Sequence, residues 1–130
     1  MQRKISWFYI AYGVFTLSLV LPAAMMPKPL FGGGGRLQAV FGWQCLLIGW
    51  LAMPTWIANP LFAAGGIFLA YQRRRTARVL ATLAVVAALV SFLYLGEDVR
   101  YFHVGYYVWV ASMIAMLVAT YEPGETRAAA

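Results

Sequence analysis

The sequence has few residues that could support chemistry. Of its 130 residues only four are acidic, one is cysteine and one is histidine. The single cysteine, Cys45, excludes an intrachain disulfide, a cysteine-ligated zinc site and a C-x-x-C redox motif. The single histidine, His103, excludes a haem held between two internal histidines. We therefore expect neither a cofactor nor a metal.

The long apolar runs also lack charge. None of them carries an Asp, Glu, Lys or Arg in its middle, and the acids Glu97, Asp98, Glu122 and Glu125 lie at or beyond the run ends. Ionisable groups embedded in a membrane usually serve transport or proton transfer. The apolar runs have no such group in the middle. Nucleophilic catalysis needs a base and an orienting group in reach, and no such constellation stands out. These absences predict a protein that is not an enzyme.

Apolar residues, in contrast, are abundant. They make up 63% of the chain, charged residues make up 11%, and the mean hydropathy is +0.73. Soluble domains are typically about 45–50% apolar and about 25% charged. The net charge of +6 does not indicate nucleic acid, because the basic residues punctuate apolar runs and do not form a polar face. The composition predicts one all-α domain over residues 1–130 whose solvent is the lipid bilayer.

The apolar runs predict where the chain crosses the bilayer. A helix needs about 20 mainly apolar residues to cross the hydrocarbon layer. The first run also exceeds the apolar stretch of a signal peptide, which is about 7–15 residues, so we interpret it as an uncleaved span. The sequence predicts four transmembrane helices, over residues 5–26, 55–71, 77–95 and 104–121, and an interfacial or re-entrant helix over residues 37–53.

The region from Leu37 to Tyr71 allows a second interpretation, in which residues 37–53 also cross and the chain has five spans. Charge favours four spans, since Lys and Arg concentrate on the cytoplasmic side of bacterial membranes. With four spans and a cytoplasmic amino end, seven basic residues lie inside and three outside. We expect a multi-pass protein of the bacterial inner membrane with both termini cytoplasmic. Whether residues 37–53 span or lie at the interface stays open.

Small residues at helical spacing predict how the spans pack. In lipid, small side chains let helix backbones approach closely. The predicted packing positions are Ala77, Ala81, Ala84, Ala88 and Ser91 on the third span, and Ala111, Ala115 and Ala119 on the fourth.

The loop between the third and fourth spans holds the main concentration of polar and aromatic residues. The candidate partner-contact residues are Glu97, Asp98, Arg100, Tyr101, His103, Tyr106 and Tyr107. Together with the missing chemistry, this loop favours a protein that acts through contacts, as an accessory, assembly or immunity-type subunit. We expect its partner to be a membrane protein or a second copy of the chain. The alternative is a subunit of an oligomeric small transporter or channel.

Overall fold

The computed structural model describes residues 6–27, 37–52, 54–95 and 104–122. This part of the chain is mostly helical, with five α-helices and one two-stranded antiparallel sheet. The elements are α1 (Trp7–Val20), β1 (Pro22–Pro27), β2 (Leu37–Phe41), α2 (Gly42–Ala52), a 3₁₀ helix (Pro54–Ile57), α3 (Ala58–Ala70), α4 (Arg74–Leu95) and α5 (Val104–Ala119).

The first predicted span is too long at its carboxyl end. Helix α1 ends at Val20, and Leu21 is extended, with φ −91° and ψ 148°. Proline disfavours helical backbone in the residue before it and cannot donate to the preceding turn, so Pro22 ends the helix. Residues Pro22–Pro27 instead form β1, which pairs with β2 from Pro22 opposite Phe41 to Pro27 opposite Leu37. The described chain is mostly helical, as the all-α prediction expects, and the hairpin is an addition that the sequence analysis does not predict.

The predicted interfacial helix over residues 37–53 also begins too early. Its first five residues form β2, and the helix itself, α2, runs for 11 residues from Gly42 to Ala52. After it, the predicted span over residues 55–71 is divided into the 3₁₀ helix and α3. Pro60 is accommodated because it lies in the first turn of α3, where an amide N–H has no helical acceptor.

The helices differ in length. Helix α4 contains a 20-residue stretch, Arg74–Leu93, with a mean hydropathy of 2.1, and among the described residues only this helix is long and apolar enough to cross a membrane. Helices α1, α3 and α5 are apolar but have 14, 13 and 16 residues. The structure therefore supports a helical bundle, and the four crossings stay a prediction.

The helices pack in two closely associated pairs. Helix α1 lies along α5, α3 lies along α4, and α4 also contacts α5. The described core consists mainly of small side chains around three larger ones, Phe62, Met113 and Met116. The small members include Ala11, Ala58, Ala81, Ala84, Ala88 and Ala115.

The end of the bundle that holds the hairpin, the hairpin end, is packed backbone against backbone. A Cβ added to Gly105, at the start of α5, would lie 2.7 Å from the carbonyl oxygen of Pro22. A Cβ added to Gly42, at the start of α2, would lie 2.9 Å from Cα of Leu19. The carboxyl end of α1 is thus held between two glycines, and neither position has room for a side chain.

Candidate functional site at the arginine end

The opposite end of the bundle, the arginine end, is built around the turn between α3 and α4. Gln72 has φ 63°, a left-handed conformation, and its N–H donates to the carbonyl of Leu69 at 3.0 Å. The N–H of Arg73 donates to the carbonyl of Phe68 at 2.9 Å. These two bonds form a Schellman motif, which closes α3 and usually has glycine at the left-handed position. The turn places four arginines, at positions 73, 74, 75 and 78, at the start of α4.

Two of these arginines bind the carboxyl end of α5. The Nη1 of Arg74 donates to the carbonyl of Glu122, and the Nη2 of Arg78 donates to the carbonyl of Thr120 at 3.5 Å. The guanidinium of Arg78 also lies over the ring of Tyr121, 4.0 Å from its centroid. The last carbonyls of a helix lack helical donors and carry partial negative charge, so cations stabilise them. Arg74 and Arg78 therefore cap α5.

The Glu122 carboxylate in turn binds the start of α1. It accepts a hydrogen bond from the Ser6 hydroxyl at 3.0 Å and one from the Trp7 backbone N–H at 3.3 Å. The Ser6 Oγ itself accepts from the N–H of Phe8 at 3.3 Å, as a helix N-cap does. A carboxylate at a helix amino end is favourable because the free N–H groups there carry partial positive charge. Side-chain bonds thus link the ends of α1, α4 and α5.

Arg73 and Arg75 take no part in this network. Both side chains are exposed, and neither makes a hydrogen bond or ion pair with another described residue. Tyr71, two residues before Arg73, is 76% exposed. The arginine end therefore presents two cations that have no partner in the described part of the chain, close in sequence to an exposed aromatic ring.

The predicted partner-contact residues lie partly outside the described part of the chain. Glu97, Asp98, Arg100, Tyr101 and His103 are not among the described residues.

The structure describes two of the predicted contact residues, Tyr106 and Tyr107, and they differ in exposure. Tyr107 is exposed, but Tyr106 is buried, and its hydroxyl donates to the carbonyl of Ala88 at 2.8 Å. Successive helical residues point about 100° apart, so Tyr106 points into the bundle, and the contact role of this pair stays a prediction.

Nearly all the predicted packing positions are buried. The five on α4 (Ala77, Ala81, Ala84, Ala88 and Ser91) are between 0% and 3% exposed, and on α5 Ala115 and Ala119 are buried. Ala111 is exposed and does not pack inside the described bundle, so its packing role stays a prediction. It shares the outer face of α5 with Tyr107, Ile114 and Val118, at helical spacings of three and four residues.

Several polar side chains inside the bundle are hydrogen-bonded within the chain. The hydroxyls of Ser91 and Ser112 donate to carbonyls of their own helices, those of Ala87 at 3.1 Å and Trp109 at 2.6 Å. The indole of Trp109 donates to the side-chain oxygen of Asn59 at 2.8 Å, which links α5 to α3. In α2, burial raises the pKa of the Cys45 thiol, which disfavours the reactive thiolate. Within the described ranges, no group of three or more His, Cys, Asp or Glu side chains could hold a metal.

The arginine network does not follow from the sequence analysis, since no motif in the sequence connects the arginines at positions 73, 74, 75 and 78 with Glu122. The sequence contains one weak signal. The arginines precede the third predicted span and Glu122 follows the fourth, so in the predicted topology the chain crosses the membrane twice between them and both lie on the same side.

The chain matches no protein-family model, and comparisons with curated proteins and with solved structures find no significant similarity.

Proposed function

We propose that this chain is a four-span protein of the bacterial inner membrane that acts through contact with another membrane protein. The observation that carries the membrane part is the distribution of side-chain size. Small residues occupy the interior, whereas 22 large apolar or aromatic side chains in the described ranges are exposed, among them Leu93 at 80% and Val20 at 64%. A soluble monomer rarely exposes large contiguous apolar patches, while lipid favours small residues between helices and large ones outside.

The lengths of the helices are compatible with this proposal. The 22 residues of α4 extend about 33 Å, slightly more than the hydrocarbon layer of about 30 Å. Helix α5 extends about 24 Å, and α3 with its 3₁₀ helix extends about 28 Å. Helix α1 is shorter, at about 21 Å, and continues into β1. In the proposed arrangement local thinning of the bilayer accommodates the shorter helices.

The connections at the arginine end favour an even number of crossings. Ser6 near the amino end, Arg74 in the turn and Glu122 near the carboxyl end are joined by hydrogen bonds. These three points then lie on one side of the membrane, and the positive-inside tendency makes that side the cytoplasm. Helix α2 extends only about 17 Å, which supports an interfacial position over a fifth crossing.

The proposal of action by contact rests on the chemistry of the described helices. Their interior hydroxyls donate to nearby carbonyls, and the described carboxylate, Glu122, caps a helix. At the hairpin end, Tyr107 projects an exposed aromatic ring, and in the sequence it follows the polar segment 97–103 by four residues. An accessory, assembly or immunity-type role therefore has more support than a catalytic one.

The alternative role as a subunit of an oligomeric transporter or channel has less support. Such a subunit would present polar or small faces to a shared pathway. The exposed face of α4 carries Val79, Leu83, Val86 and Val90, and the buried alanines of this helix pack inside the chain. Ion or solute flux in liposomes that depends on the purified protein would favour this alternative over ours.

Photo-cross-linking in cells tests the contact proposal. The cross-linker p-benzoyl-phenylalanine is placed at Tyr107 or, as a matched control on an exposed lipid-facing position, at Val90. We expect a discrete protein adduct from position 107 and none from position 90, and co-purification of the same protein in mild detergent. A chain that is extracted alone and gives no protein adduct from position 107 would contradict the proposal.

A further inference from the structure

The four arginines of the turn fall into two functional pairs. Arg74 and Arg78 bind carbonyls at the end of α5, whereas the side chains of Arg73 and Arg75 are exposed and make no hydrogen bond or ion pair with another described residue. The carboxylate described at this end, that of Glu122, accepts hydrogen bonds from Ser6 and Trp7. The positive charge of the exposed pair is thus not neutralised within the described part of the chain.

We propose that Arg73 and Arg75 bind the phosphate of an anionic phospholipid in the leaflet at the arginine end. The inference rests on the proposed membrane location. A guanidinium matches phosphate oxygens with paired N–H donors, and juxtamembrane basic residues attract anionic lipid. Two arginines whose side chains are exposed and unpaired within the described chain therefore offer guanidinium groups to lipid phosphates at this end.

The surroundings of the turn favour a lipid phosphate over a free one. Ile67 lies about two helical turns before Arg73 and is 54% exposed, and Val79 lies one turn after Arg75 and is 59% exposed. The exposed ring of Tyr71 is adjacent, and tyrosine prefers the headgroup level. The cations thus stand where the apolar surface of α3 and α4 ends, which is the depth of the lipid phosphates.

Native mass spectrometry of the full chain in mild detergent tests the inference. The protein is titrated with dioleoylphosphatidylglycerol, with dioleoylphosphatidylcholine, and with the first lipid in the presence of millimolar inorganic phosphate. The variants are Arg73→Gln/Arg75→Gln and a charge-matched control, Lys28→Gln/Arg36→Gln, which removes two positive charges between β1 and β2. Near-native thermal stability of the first variant in detergent establishes that it folds.

We expect saturable binding of phosphatidylglycerol that weakens about 30-fold in the first variant and is unchanged in the control. Phosphatidylcholine should bind without saturation, and inorganic phosphate should not compete. Equal affinity in the two variants would overturn the inference, and displacement by inorganic phosphate would assign the site to a soluble anion. Neither result tests the proposed membrane location. Recovery of the unmodified chain in the soluble fraction after cell lysis would contradict that proposal separately.

Discussion

The two ends of the bundle are held together by different means. At the hairpin end, Gly42 and Gly105 let backbones meet with no space for a side chain. At the arginine end, long side chains cross the gaps, as Arg74 and Arg78 do to the end of α5 and Glu122 does to the start of α1. Backbone atoms in contact cannot move apart easily when a side chain is added between them. A side-chain hydrogen bond near the surface can be replaced by a hydrogen bond to water when one partner is removed. The hairpin end should therefore be the less tolerant of substitution.

The largest effect is expected at the glycines of the hairpin end. Gly42→Ala and Gly105→Ala should each lower the free energy of unfolding in detergent by about 3 kcal/mol, because the added methyl group meets backbone atoms that cannot move alone. Gly13→Ala is the matched control, since a Cβ there has no neighbour within 4 Å. It should be neutral or stabilising by up to about 1 kcal/mol. Equal stability of all three variants would remove the distinction between the ends.

The adjacent glycines of α3 provide an intermediate case. A Cβ on Gly66 would lie 3.0 Å from Cζ of Tyr12, whereas one on Gly65 would lie 3.6 Å from the nearest atoms of α4. Gly66→Ala should destabilise the protein by about 1–2 kcal/mol, and Gly65→Ala should have little effect. Adding Tyr12→Phe should restore part of the loss in Gly66→Ala by removing the obstructing hydroxyl. Thermal melting in detergent measures the stability of Gly66→Ala, Gly65→Ala and the double variant. If the double variant is no more stable than Gly66→Ala, the Tyr12 hydroxyl is not the source of the steric clash.

At the arginine end, neighbouring arginines allow a paired test. Arg74→Gln should lower the free energy of unfolding by about 1–2 kcal/mol, because it removes a charge-assisted bond to the end of α5. Arg75→Gln should change it by less than about 0.5 kcal/mol, since its side chain is exposed and has no described partner. SDS titration of both variants gives the comparison. A larger loss in Arg75→Gln would show that the cap on α5 is not what stabilises this end.

The smallest effect is expected at Gln72. Gln72→Gly should stabilise the protein by about 0.5–1 kcal/mol, because glycine adopts the left-handed conformation without the steric cost of a Cβ. Gln72→Ala keeps that cost and is the control. Thermal melting that ranks alanine above glycine would contradict the assigned turn.

Sequence patterns predicted the carboxyl-terminal half of the fold better than the amino-terminal half. Helix α4 carries small and large residues on separate faces, and the charged loop before it marks its start near Arg74. The segment from Pro22 to Pro27 has no alternation of polar and apolar residues, so its pairing with β2 could not be distinguished from a continued apolar helix.

The candidate site was predictable only in part. The four arginines are visible in the sequence. Only the packing of α4 against α5 shows that Arg74 and Arg78 bind the end of α5 while the side chains of Arg73 and Arg75 are exposed. Tyr106 and Tyr107 are neighbours of the same type, and the orientation of α5 alone determines which is buried.

The central claim is that the chain crosses the membrane four times with the arginine end in the cytoplasm. Single cysteines, introduced as Gln72→Cys or Tyr107→Cys in a Cys45→Ala background, are labelled in intact and in permeabilised cells with a membrane-impermeant maleimide. We predict that position 107 is labelled in intact cells and position 72 only after permeabilisation. Labelling of position 72 in intact cells would contradict the account.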